Sequence, residues 1–144
     1  MPATTPAALF DLLLTLLQAE AMPPDEVLRR LKPLATATRQ VPERLGRSYL
    51  IVKGPLYQLT AVFEKPTFSL YQVTLRLDPA AFTQVKQHAH ALPARAPATA
   101  EWSTGWFGLW PRLLVRHPGP PERQVTARFT SLLPSHKVVV LTRG

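Results

Sequence analysis

Three tryptophans, Trp102, Trp106 and Trp110, recur at intervals of four, and Arg112, Arg116 and His117 follow directly. That interval keeps side chains on one face of a strand and nearly on one face of a helix. Aromatic rings beside cations stack the bases of single-stranded nucleic acid. They also anchor protein partners, and the same rings are equally suited to filling a core beneath a sheet. Gly105 and Gly108 weaken any regular element here and Pro111 ends it, so the segment reads as an irregular strand or bulged hairpin. Trp102, Trp106, Trp110, Arg112 and Arg116 are the candidate binding residues.

No other grouping completes a reactive site. His88 and His90 stand two apart on a predicted helix, where they point to nearly opposite sides and cannot chelate one metal. His117 and His136 lie in unrelated segments, and the chain has no Cys. Ser135-His136 has no nearby acid to orient the imidazole, and no Gly-x-Ser-x-Gly elbow is present. Six glycines form neither a phosphate loop nor a dinucleotide fingerprint. Asp25-Glu26 reads as a helix start and Asp78 as a cap. The expectation is a chain with no catalytic residues, no metal and no cofactor.

The net charge of +8 favours acidic partners, whether nucleic acid, an acidic protein face or anionic lipid. Arg112, Arg116, Arg123, Arg128, Lys137 and Arg143 stand against Glu122 alone after Trp102, so the last third is the most basic. No run of adjacent cations exceeds the pair Arg29-Arg30, and an Ala-, Pro-, Leu- and Arg-rich composition produces such a balance without function.

These residues must be positioned by short elements, because 16 of 144 residues are proline. The longest proline-free run, Ala7 to Met22, falls short of the roughly 18 apolar residues that a membrane span needs. The apolar start lacks the basic leader of a secretory signal, and a cytoplasmic protein is the expectation. Thr5-Pro6 opens a first helix that is apolar around most of its circumference, with Asp11, Thr15 and Gln18 in one narrow stripe. Leu9, Leu13, Leu16 and Leu17 on that helix serve either the chain's own core or self-association with a second copy. A second helix follows Pro23-Pro24, and residues 35–47 read as a connector or a loose helical turn with Arg39, Arg44 and Arg47 solvated.

From Ser48 the apolar period becomes two, with strands at Tyr49 to Lys53, Leu56 to Phe63 and Leu70 to Leu77. In the last of these Tyr71, Val73, Leu75 and Leu77 share one face, and Gln72, Thr74 and Arg76 the other. Asp78-Pro79 opens a helix through Leu92, and strands resume from Trp102 to Leu141. Clustered strands predict an α+β fold with a mostly antiparallel sheet of five to six strands. The expected organisation is a single domain over 1–144, helical in 1–47 and sheet-forming in 48–144.

Within Tyr49 to Leu92, the run Val52-Lys53-Gly54, Tyr57, the strand Tyr71 to Leu77 and the start Asp78-Pro79 loosely resemble the small YjbR-like domains. That resemblance implies a two-winged α/β fold and, in some members, DNA binding. It covers under a third of the chain and carries over no residue role. Taken together, the sequence predicts a non-catalytic module with a macromolecular partner, in the first place a protein (a second copy included); the alternative is nucleic acid held by the basic, Trp- and Arg-containing last third.

Overall fold

Proline opens each described α-helix, and a side chain caps the first and the third. Thr5 Oγ1 accepts the Ala8 N–H at 3.1 Å, and α1 (Pro6–Gln18) begins at Pro6. In α2 (Pro24–Leu31) Asp25 and Glu26 occupy the first turn and Arg29 and Arg30 the last, each matched to the helix dipole. Asp78 Oδ1 accepts the Ala81 N–H at 3.3 Å ahead of α3 (Pro79–Arg95). This helix runs past the expected end at Leu92, because Pro93 lies in the last turns and the Ala96 N–H still reaches the Leu92 carbonyl. The structure, a computed structural model, describes residues 5–19, 22–55, 57–65, 67, 69–105, 111–116, 124–133 and 136–143.

The strands are β1 (Ala37–Arg44), β2 (Arg47–Lys53), β3 (Tyr57–Glu64), β4 (Ser69–Leu77), β5 (Ala100–Ser103), β6 (Arg112–Val115), β7 (Val125–Leu133) and β8 (His136–Arg143). They form one antiparallel sheet in the order β1-β2-β3-β4-β8-β7-β6-β5. Two four-stranded meanders, each preceded by helix, meet where β4 pairs with β8 and Thr74 stands opposite Val140. The fold is therefore α+β, as expected, with eight strands among the described residues in place of five to six.

The extra strands have physical reasons to be hidden. β1 falls in the stretch read as a connector: its residues are exposed apart from half-buried Val41, so it carries no alternation, and Pro42 is tolerated because β1 is an edge. β5 and β6 span four residues each, too short to display a period. The β1–β2 hairpin turns on Leu45 and Gly46, both at positive φ (56° and 85°), as a type I′ turn requires.

The three α-helices of the described residues lie on one face of the sheet. α1 packs on β4, β7 and β8, α3 on β4, β5 and β8, and α2 on β2 and β4. Beneath them Leu50, Val52, Leu59, Ala61, Val73, Leu75, Ala127, Val139 and Leu141 are fully buried. Phe10, Phe82 and Trp102 gather around Phe129, with ring centroids 5.5–6.3 Å from it. A bulge in β4 sets Leu70 opposite Phe63 and leaves Tyr71 unpaired. Tyr71 consequently lies under the Arg47 guanidinium, 5.9 Å from its ring centre, and does not join Val73, Leu75 and Leu77 in the core. No helix among the described residues is long and apolar enough to cross a membrane.

Candidate functional site

Directly paired residues of antiparallel neighbours point to the same face. Opposite the helices, one row runs from Arg39 through Ile51, Thr60, Thr74, Val140 and Arg128 to Arg112 and Ser103. A parallel row carries Lys53, Gln58, Arg76, Val138 and Thr130. No described element covers this face: Arg39, Lys53, Arg76, Arg112 and Arg128 are exposed, and the Thr, Gln and Val side chains between them are mostly half-buried. Arg44 and Arg47 extend it towards the hairpin tip.

The face is strongly cationic. Its carboxylates, among the described paired residues, are Glu64 and Glu101. Both are already engaged, Glu64 by Arg47 at 3.8 Å and Glu101 by Arg116 at 2.9 Å. Arg112 stands directly opposite Arg128. Like charges placed so are unfavourable unless a partner compensates them. Tyr49, half-buried between Val41 and Val62, adds an aromatic ring to the same surface.

The structure separates residues that the tryptophan spacing groups together. Trp102 pairs with Leu113 on the helix side, 5.5 Å from Phe129 and 5.1 Å from the His90 ring, and is partly buried. Arg112, one residue from Leu113, points to the opposite face, so Trp102 and Arg112 do not form one surface. Arg116 is exposed but held along the edge by Glu101. Trp106 and Trp110 lie outside the described residues. Leu9, Leu13, Leu16 and Leu17 are buried to 2 % exposure or less in the chain's own core, which leaves none of them on the surface for a second copy. Arg39, Lys53, Arg76 and Arg128 were absent from the sequence-based candidates. Alternation along β4 and β7 marks Arg76 and Arg128 as outward-facing, but only the strand order unites them.

His88 and His90 diverge as the helical spacing requires. His90 meets Trp102, whereas His88 packs edge-on against Phe10. The His88 Nε2–H donates to Asp11 Oδ1 at 2.8 Å, and Arg95 Nη2 donates to His88 Nδ1 at 3.3 Å. Both ring nitrogens are thus engaged, and the Asp11–His88–Arg95 chain clasps α1 to α3. No group of three or more His, Cys, Asp or Glu side chains that could hold a metal occurs among the described residues.

Set against known proteins, the chain matches no family model, including any for the domains that residues 49–92 resemble, no curated protein and no solved structure.

Proposed function

We propose that the chain is a non-catalytic binding protein whose uncovered sheet face takes up single-stranded nucleic acid. The observation that carries this reading is the Arg112–Arg128 pair, set with Arg39 and Lys53 in rows that hold no free carboxylate among the described residues. A polyanion laid across the strands meets a cation near either edge. Threonine and glutamine between the cations offer hydrogen bonds to phosphate and sugar, and Tyr49 offers a stacking ring. A second copy is a poor occupant, because two such faces brought together oppose cation to cation.

The test is fluorescence anisotropy of a labelled oligothymidylate of about 12 nucleotides. Binding should weaken log-linearly with salt, by about 0.7 in slope for each phosphate neutralised. A duplex of the same length should bind more weakly, because its bases cannot reach Tyr49. Absence of binding at low salt rejects the proposal, and so does preferential binding of a polyglutamate chain, which would identify an acidic protein as the partner.

A further inference from the structure

On the helix-covered side, away from the cationic face, a cleft of about 630 Å³ opens between α3 and the ends of β5 and β8. Its apolar wall is Phe82 and Trp102, and its polar groups include Lys86, Gln87, His90 and Lys137. His90 stands edge-on to the Trp102 indole at 75°, and Phe129 supports that indole from the core side. Lys86 and Lys137 are both partly buried, yet no carboxylate lines the cleft and no ion pair holds either ammonium among the described residues. Two cations lining one cleft without a carboxylate give it a positive potential, which an anion bound there would complement. The volume is that of a site for a small organic molecule.

We propose that this cleft binds a planar aromatic acid, its ring against Trp102 and Phe82 and its carboxylate directed to Lys86 and Lys137. The ring would replace water on apolar surface, and the carboxylate would accept charge-assisted hydrogen bonds. Gln87, exposed on α3, supplies a neutral donor at the rim.

The test uses naphthoate, with naphthalenemethanol and naphthylmethylamine as neutral and cationic controls on the same ring. Binding is read from the Trp102 indole N–H and His90 ring resonances. Naphthoate should saturate these shifts at or below roughly 1 mM, with both controls at least about tenfold weaker. Lys86→Gln with Lys137→Gln should weaken naphthoate about tenfold. Lys86→Gln alone, on the partly exposed side of α3, should weaken it by a smaller factor and serves if the double variant does not fold. Neither variant should alter oligonucleotide binding, which belongs to the opposite face. A naphthoate affinity unchanged by these substitutions, equal binding of the alcohol, or no saturable shift overturns the proposal.

Discussion

Arg112 in β6 stands directly opposite Arg128 in β7, on the sheet face that no described element covers, and neither guanidinium has a carboxylate partner among the described residues. Structure and function pull such a pair in opposite directions. Arg128→Ala removes a cross-strand repulsion and should leave stability unchanged or raise it by about 0.2–1 kcal/mol. The same substitution should weaken oligothymidylate binding and flatten its salt slope by about 0.7 for each phosphate that is no longer neutralised. Thermal melting and anisotropy on one preparation measure both. A variant that loses stability and keeps its full affinity would show the pair to be structural.

Leu45 sits at the tip of the β1–β2 hairpin, 94 % exposed and at φ 56°. The left-handed region costs a non-glycine residue about 1–2 kcal/mol, and Asn tolerates it far better than Leu. Leu45→Asn would also create an Asn-Gly turn, the preferred pair for this hairpin. It should therefore stabilise the chain by about 1 kcal/mol, read as a raised urea midpoint at unchanged denaturant slope. A lowered midpoint would mean that the leucine side chain is used at the tip.

Gly54 and Tyr57 form a second close pair. A Cβ at Gly54 would overlap Tyr57 Cε1 and lie 2.6 Å from Cζ, and the Tyr57 hydroxyl donates to the Leu34 carbonyl at 3.1 Å. Burial also pushes the Tyr57 hydroxyl above its ordinary pKa, which keeps it a donor. Gly54→Ala should destabilise by about 1–3 kcal/mol through displacement of the ring, and Tyr57→Phe by about 0.5–1.5 kcal/mol. The double variant should cost less than the sum, since the displaced ring no longer makes the hydrogen bond. Chemical denaturation of the four proteins closes the cycle, and strict additivity would reject the coupling.

Burial of α1 makes a sharper prediction about self-association. Leu13, on the inner face of α1, is fully buried. Leu13→Ala should cost about 2–5 kcal/mol, and Leu13→Glu should not fold, as circular dichroism would show. A folded Leu13→Glu monomer derived from a wild-type dimer would instead place Leu13 at a subunit interface.

The helices, the central strands and the antiparallel character were legible because each rests on local signals. Thr5-Pro6 and Asp78-Pro79 announce helix starts, and Leu70 to Leu77 alternates. The edge elements were not, since β1 faces water on both sides and β5 and β6 are too short for a period to emerge. The candidate face was half-legible. Arg112 was visible from its neighbours, but its true companion, Arg128, is distant in sequence and is brought alongside by the second meander. Trp102 and Arg112 part for a related reason: Trp102 lies opposite Leu113, and one residue along a strand reverses the face. Pairing register, which no local pattern encodes here, decides which side chains meet.

Glu26 supplies the clearest pH dependence. Hydrogen bonds from Arg29 and then Arg30, aided by their charges, lower its pKa from 4.5 to about 2. Because the folded pKa is depressed, the unfolded chain takes up the proton first as pH falls. The contribution is thus complete above about pH 4.5, shrinks below it, and is gone once the folded carboxyl itself protonates near pH 2. Wild type should therefore melt above Glu26→Gln at neutral pH, and the two melting curves should converge between these limits. All three side chains reach solvent on α2, so about 1 M salt, with a screening length near 3 Å, should shrink the difference. A gap between the two proteins that persists unchanged at pH 2 would mean that Glu26 acts through something other than its charge.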